Sequence, residues 1–196
     1  MKFTRPSLLL ATVLVVLAVP ARAAVETYAI DPVHSSVAFS IRHIVSKVPG
    51  SFTKFSGNVT VNRDNLEKSS VDATIEVASV STASEARDND LKTPNFFDAA
   101  KFPTITFKST AWKKTGPDAY DITGDLTIHG VTKSVVLKAG LLGFSPGMQP
   151  GVQLTGWEAT TILNKADFGV NGPAMLGTML GNEVAVTINI EADLKQ

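Results

Sequence analysis

A regular alternation of apolar and polar residues is the feature that most constrains the fold of this chain. Between residues 184 and 191 every second residue is Val or Ile, and the residues between them are Ala, Thr, Asn and Glu. Successive side chains of a strand point to opposite faces, so this period of two predicts a half-buried strand. The same pattern predicts strands at residues 25–31, 36–43, 54–62, 71–77, 104–113, 120–128, 133–144, 153–163 and 183–191.

Turn-forming pairs separate many of these segments, including Asp31-Pro32, Pro49-Gly50 and His129-Gly130. Such short connections join antiparallel neighbours, because a parallel crossover needs about a dozen residues or more. One segment differs: Ser84 precedes an acidic stretch that predicts a short capped helix over residues 85–92. A set of about eight or nine strands must protect its edges, and either a closed barrel or a two-sheet sandwich does so.

The first 23 residues have the pattern of a secretory signal. Lys2 and Arg5 precede an uncharged apolar run at 7–19, which is followed by Ala21-Arg22-Ala23. The run is long enough for a signal but shorter than the roughly 20 residues of a membrane-spanning helix. We therefore expect cleavage after Ala23, leaving residues 24–196 as one exported domain.

Charge and cysteine content exclude several classes of protein. The chain has 18 basic and 18 acidic residues and no cysteine. Without Lys2, Arg5 and Arg22 the mature chain keeps 15 basic residues against 18 acidic ones. This balance excludes a binder of nucleic-acid phosphates, which needs clustered basic residues. The lack of cysteine excludes disulfides, thiol nucleophiles and thiolate zinc sites.

Catalytic motifs are incomplete throughout the sequence. Residues 167–169 spell Asp-Phe-Gly, but the other kinase motifs are missing, and the glycines at 172–177 lack the lysine of a phosphate-binding loop. The histidines are His34, His43 and His129, and the first two would face opposite sides of a shared strand. A metal site made of one histidine and carboxylates remains an alternative. We predict no catalytic residue, metal or cofactor.

Several blocks along the chain resemble the YceI family, in the family's order. They are YAIDPVHSSVAFSIRH at 28–43, RD at 87–88, FFD at 96–98, FPTITF at 102–107, GDLTIHGVT at 124–132 and DFG at 167–169. The resemblance extends over about 26–192. It implies an all-β fold, an eight-stranded antiparallel lipocalin-like barrel with a short helix near residues 85–92. It also implies export to the bacterial periplasm and a cavity for a polyisoprenoid, an isoprenoid quinone or an amphiphilic lipid.

A long apolar ligand must be held by burial of apolar surface, at about 25 cal/mol per Å². The residues predicted to line its cavity are the inward members of the alternating strands, although a slip of one residue would exchange the two faces. They are Val37, Phe39, Ile41, Ile75, Val77, Ile105, Phe107, Ile122 and Leu126, together with Val186 and Ile188, and Phe168 from the last block.

Four further residues have two interpretations each. Met175 and Met179 lie in the glycine-rich segment 169–181, which is either a lid over the cavity mouth or a cap on the core. Arg87 either holds a polar headgroup or pairs with Asp88 or Asp98. His34 either contacts the ligand or bonds to turn backbone.

These observations predict a periplasmic protein that binds, transports or sequesters a lipophilic small molecule without chemistry, in a stress response that the resemblance implies. One alternative is a lipid-modifying enzyme using His34 with a carboxylate. The other is an interaction module for a membrane redox partner. We expect no nucleic-acid partner, a transient contact with a membrane or a membrane redox protein, and a monomer or homodimer.

Overall fold

The computed structural model describes residues 25–195, so the predicted signal segment lies outside the described residues. Strands dominate this part of the chain. They are β1 (Val25–Ile30), β2 (Ser36–His43), β3 (Ser46–Phe52), β4 (Phe55–Asn62), β5 (Ser70–Glu76), β6 (Val80–Ser81), β7 (Thr104–Lys114), β8 (Ala119–Ile128), β9 (Val131–Pro146), β10 (Gln153–Asn164) and β11 (Leu180–Leu194). The helix α1 (Glu85–Leu91) confirms the predicted helix, and short 3-10 turns include Lys165–Phe168 and Ala174–Met179.

Eight of the strands close into an antiparallel barrel in the order β1, β4, β5, β7, β8, β9, β10, β11. The barrel closes because Tyr28 to Ile30 of β1 pair with Leu194 to Ala192 of β11. This arrangement confirms the predicted fold class and decides between the barrel and the sandwich. A closed sheet has no free edges around its circumference, which is the physical reason that many short strands adopt it.

A second group of strands extends one end of the barrel. β11 is long enough to pair with two strands on the same side. Its last residues, 192–194, pair with β1, and its residues 180–189 pair with β2. β3 pairs with β2, and the two-residue β6 pairs with the end of β3. These strands, together with α1 and the turn Ala174–Met179, surround the end of the barrel at which β11 begins.

The turn predicted at Pro49-Gly50 is wrong, because both residues lie within β3. Pro49 faces Ser40 of β2, and β3 gains its second neighbour only at Ser51 and Phe52. An edge position tolerates proline because its missing N–H leaves no partner unsatisfied. Gly50 pairs with Phe39, and a Cβ at Gly50 would lie 2.3 Å from Cζ of that ring. The glycine that suggested a turn is instead required by the ring of Phe39 on the neighbouring strand, and this contact is not visible in the local sequence.

The start of α1 differs in one detail from the predicted cap. Ser84 is the N-cap residue, but its side chain makes no capping hydrogen bond. Instead the Asp88 carboxylate accepts hydrogen bonds from the Thr82 backbone N–H and hydroxyl, at 2.7 and 2.6 Å. Among residues 25–195 no helix has the length and apolarity needed to cross a membrane.

Candidate ligand cavity

The barrel contains an apolar cavity of two adjoining chambers. The deep chamber has a volume of about 170 Å³, and the mouth chamber has a volume of about 300 Å³. Both chambers are lined by the same six residues, so they lie next to each other with these side chains between them. These residues are Phe39, Phe52, Ile105, Ile128, Leu163 and Val186.

The deep chamber ends at a cluster of buried aromatic residues. Trp112 and Trp157 belong to its wall, and each is 5% exposed. Their rings meet edge to face, with centroids 5.3 Å apart and planes at 85°, and Tyr120 packs against both. Neither indole N–H has a hydrogen-bond acceptor within residues 25–195. This end of the cavity is therefore an aromatic floor that offers a ligand dispersion contacts.

A hydrogen-bonded triad ties β1 to Arg63, the residue that follows β4, beside this floor. The Tyr28 hydroxyl donates to the Glu26 carboxylate at 2.6 Å, and Arg63 Nε donates to the same oxygen at 2.7 Å. The hydrogen bond from Arg63 lowers the pKa of Glu26, and burial raises the pKa of Tyr28. The guanidinium also lies 3.7 Å from the ring centroid of Phe144, a cation–π contact. The triad joins the strands where the deep end closes.

The mouth chamber is apolar on its inner side and polar at its rim. Its polar lining residues are His43, Thr82, Arg87, Asp90 and Lys165. Lys165 Nζ donates to the Asn171 carbonyl at 2.9 Å, and burial lowers the pKa of the amine. The deep chamber has two polar lining residues, Glu158 and Thr161, so the cavity changes from almost wholly apolar to mixed charge toward the mouth.

Arg87 bonds to Thr82 rather than to the carboxylates predicted as its partners. Its Nε donates to the Thr82 hydroxyl at 2.7 Å, and Nη2 donates to the Thr82 carbonyl at 2.8 Å. Asp88 binds the same threonine from the other side. Two charged residues therefore converge on one buried hydroxyl, which fixes the orientation of Arg87 at the mouth.

Most of the residues predicted to contact a ligand lie in the cavity wall, and their role in binding stays a prediction. Those of the deep chamber are Val37, Phe39, Ile75, Ile105, Phe107, Ile122 and Leu126, with Val186 and Ile188. Ile41, Phe168 and Arg87 line the mouth chamber. The predicted strand phase is therefore the observed one at these positions.

Four predicted residues lie outside the cavity lining, so we remove them from the proposed set. Val77 is 1% exposed and packs in the core behind the wall. Met175 is 82% exposed and points away from the cavity, and Met179 does not line it. His34 lies in the turn before β2, with its side chain 63% exposed.

Sequence reasoning missed several wall residues for identifiable reasons. Leu176 and Leu180 line the mouth chamber in place of the two methionines. Leu176 lies in the 3-10 turn Ala174–Met179, which does not follow the period of a strand, and Leu180 is the first residue of β11. Phe52 lies at the end of β3, the strand that contains the Pro49-Gly50 pair predicted as a turn. Trp112 and Trp157 do lie on alternating strands, and that alternation was a signal that could have identified both.

His34 forms a small exposed cluster with two carboxylates on the outside of the barrel. Its Nδ1 lies 2.6 Å from Asp31 and 3.7 Å from Glu191. The hydrogen bond to Asp31 raises the pKa of His34, and the same bond lowers the pKa of Asp31. The three donor atoms lie within 4.8 Å of one another, close enough for one metal ion. The histidine and aspartate already satisfy each other, so the cluster requires no ion.

Glycines on neighbouring strands position two of the phenylalanines in the wall. The ring of Phe39 lies over Gly50, and the ring of Phe107 lies over Gly124. A Cβ at Gly124 would be 2.4 Å from Phe107 Cζ, well inside contact distance. Both glycines therefore leave space for a ring to lie along the sheet.

An antiparallel barrel with an apolar interior and one polar mouth belongs to the lipocalin-like class of binding barrels. The sequence profile of the YceI-like domain matches residues 28–192, and the chain belongs to this family. The UPF0312 protein PputW619_0484 of Pseudomonas putida (strain W619) is 38% identical over 155 residues, covering 78% of this chain and 80% of the relative.

Solved structures show the same fold. A YCEI protein of Campylobacter jejuni, crystallised for nanotechnology applications, has a TM-score of 0.70 and 30% identity, over 78% of this chain and 88% of that one. A structure described as a polyisoprenoid binding domain from Saccharophagus degradans, implicated in plant cell wall breakdown, has a TM-score of 0.65 and 15% identity. That similarity covers 86% of this chain and 98% of the other, and it supports the fold alone.

Proposed function

We propose that this protein binds and carries a long apolar molecule, with the tail in the deep chamber and the polar end at the mouth. The observation that carries the proposal is the pair of adjoining apolar chambers, one ending at the aromatic floor of Trp112 and Trp157 and the other at the rim with Lys165. Their wall is built almost wholly of aliphatic and aromatic side chains. Such a wall offers a ligand dispersion and desolvation but no chemical step.

The class of ligand follows from this wall. An unbranched or isoprenoid tail has no hydrogen-bonding groups and suits an interior of this kind, whereas a compact polar metabolite would lose its hydration without compensation. At about 0.3 kcal/mol per heavy atom, a tail of roughly 30 carbons would gain on the order of 10 kcal/mol. A polyisoprenoid, an isoprenoid quinone or an amphiphilic lipid meets this description.

The polar rim favours an amphiphile over a pure hydrocarbon. Arg87 and Lys165 provide donors at the mouth, and Asp90 lies beside them. A phosphate, hydroxyl or quinone oxygen at the end of the tail would accept hydrogen bonds there while the tail stays buried. The ligand therefore enters the barrel tail first.

The exposed pair of His34 and Asp31 does not favour a lipid-modifying enzyme, since His34 lies outside the cavity lining. The proposed function needs no cofactor. Transport, sequestration and a stress response remain predictions, as does the interaction with a membrane redox partner.

Export to the periplasm is a separate part of the proposal and has its own test. If the segment before Ala24 is a cleaved signal, the protein purified from the periplasmic fraction will have the mass of a chain beginning at Ala24. A full-length protein confined to the cytosolic fraction would contradict the proposed localisation.

Native mass spectrometry followed by organic extraction tests the ligand proposal. The protein purified without detergent should retain a lipophilic molecule that is released into organic solvent and identified by its mass. The stripped protein should then take up an added polyprenol or ubiquinone. Absence of lipid from protein made in several hosts, together with no uptake of either compound, would contradict the proposal.

A further inference from the structure

The hairpin between β2 and β3 ends in two exposed apolar residues. Ile44 is 50% exposed and Val45 is 96% exposed. They form a two-residue turn, a position at which glycine, asparagine and aspartate are favoured. Ile44 has a φ of +52°, a conformation that is costly for a β-branched residue. Turn stability therefore does not account for the choice of residues at this tip.

The tip is bound to the segment that borders the mouth. The Ile44 backbone N–H donates to the Met179 carbonyl at 2.7 Å. Arg42 Nη1 donates to the Ile44 carbonyl at 3.0 Å, and Nη2 lies 3.4 Å from the Thr178 carbonyl. These bonds hold the strained turn against the Ala174–Met179 turn, whose Met175 is 82% exposed. We call Ile44, Val45 and Met175 the apolar rim.

The apolar rim borders the entrance to the cavity. Leu176, the neighbour of Met175, lines the mouth chamber, as does Leu180 just beyond the same turn. One face of this segment therefore contacts the cavity, while the other carries an exposed methionine. A surface that contacted the rim would also lie beside the mouth.

The charges around the tip are positive. Arg42 and Lys47 flank Ile44 and Val45, and residues 42–47 contain no carboxylate. The acidic side chains at this end of the barrel are carried by other elements. They include Glu85, Asp88 and Asp90 of α1, and Glu183 of β11, which lies between the residues paired with His43 and Ile41. Apolar residues flanked by cations match the chemistry of an anionic bilayer, in which acyl chains lie beneath negative headgroups.

We propose that the apolar rim docks this protein on an anionic lipid bilayer, with Val45 and Met175 entering the interface and Lys47 contacting the headgroups. Docking places the mouth chamber against the lipid, so that an apolar ligand passes between bilayer and barrel without crossing water. The purpose of docking rests on the proposed lipid-binding function, but docking itself is measured independently of it.

Flotation with lipid vesicles tests the proposal. The wild-type protein should float with vesicles of equal phosphatidylcholine and phosphatidylglycerol, and less with phosphatidylcholine alone. Val45→Asp should lower the vesicle partition coefficient about tenfold or more, because the valine would no longer be inserted into the bilayer interface and a negative charge would face the anionic headgroups. Lys47→Glu should lower it about fivefold or more on the anionic vesicles and much less on the neutral ones.

Met148→Asp is the matched control. Met148 is fully exposed, and it lies between β9 and β10 at the opposite end of the barrel. This variant should partition like wild type. Unchanged partition of Val45→Asp, or an equal loss in Met148→Asp, would overturn the proposal. A dimer that Val45→Asp converts to a monomer, with vesicle partition unchanged, would assign the rim to a second copy of the chain instead.

Uptake of a polyprenol from detergent micelles separates docking from ligand binding. Val45→Asp should bind the micellar polyprenol as tightly as wild type but load it from vesicles more slowly. A wild-type protein that floats in a Val45-dependent manner yet takes up no polyprenol would support docking and contradict the proposed ligand. If Val45→Asp lost binding from micelles as much as loading from vesicles, Val45 would be part of the cavity wall, and its role in docking would be overturned.

Discussion

The width of the cavity depends on glycines that carry no side chain into it. The ring of Phe39 lies so close to Gly50 that a Cβ on residue 50 would clash with it. Phe39 lines both chambers, so its ring is one of the side chains that lie between the floor and the mouth. A methyl group at residue 50 must push this ring inward or displace β3.

Gly50→Ala is therefore expected to lower the free energy of unfolding by about 1–3 kcal/mol, the usual cost of overpacking. It should also weaken binding of a long-chain ligand, because the displaced ring would occupy part of the cavity. Urea denaturation and ligand titration measure the two effects. Gly177→Ala is the control, since a Cβ at Gly177 meets no atom within 4 Å. Equal stability of Gly50→Ala and Gly177→Ala would contradict the role given to Phe39 and Gly50.

The pairing of His34 with Asp31 predicts a pH dependence of stability. The raised pKa of His34 means that its contribution is complete below the unfolded pKa of about 6.5 and is lost as pH rises through the folded value. The lowered pKa of Asp31 means that its contribution is present above the unfolded value, about 3.9, and is lost as pH falls through the folded one. The pair thus stabilises the fold most in mildly acidic solution.

His34→Gln should consequently destabilise the protein most between about pH 4 and 6.5 and least in alkaline solution. Urea unfolding of both proteins across this range measures the difference, and an NMR titration of the His34 ring measures its pKa. A stability difference that is constant with pH, or greatest in alkaline solution, would contradict this interpretation.

At the scale of elements, the sequence predicted the barrel strands because each has one face toward an apolar interior. The period of two is preserved even in β11, where Val184 to Ile190 alternate into the cavity. β3 was missed because its Pro49-Gly50 pair has the composition of a turn. Its position on an edge and the ring of Phe39 explain both residues, and neither is visible from local sequence.

The Ala174–Met179 turn shows the limit of composition more clearly. The glycine-rich segment with two methionines predicted a lid, but the direction of each side chain depends on the tight winding of the 3-10 turn. Leu176 lines the mouth chamber, whereas Met175 is exposed. The leucine is therefore the residue through which this segment can retain a ligand.

Leu176→Ser is expected to increase the rate of ligand release about tenfold, because the ligand loses roughly half the free energy that burying a leucine side chain provides. Stopped-flow displacement of a fluorescent isoprenoid measures this rate. Met175→Ser serves as the control in the same displacement assay, without vesicles, and should release the ligand like wild type. An equal effect of the two substitutions, or no effect of Leu176→Ser, would contradict the assignment of the cavity-facing side of this turn.

At the scale of the whole molecule, the barrel has two unlike ends. The deep end is closed by Trp112, Trp157 and Tyr120 and tied by the triad of Tyr28, Glu26 and Arg63. The other end combines charged residues with an exposed apolar rim. Alternation predicted which faces point inward, but it could not show that the interior stays open, because free volume depends on how all side chains pack together.

Tryptophan fluorescence gives the most direct measurement of the central claim, that a long apolar ligand is buried tail first. Trp112 and Trp157 are the only tryptophans in the chain, and both line the deep chamber. A polyprenol brominated at the end of its tail should quench their emission, with saturation when each chain holds a single ligand. The same polyprenol brominated at its polar end should bind equally well and quench little. Absence of quenching by the tail-labelled compound at saturation, or stronger quenching by the head-labelled one, would contradict this account.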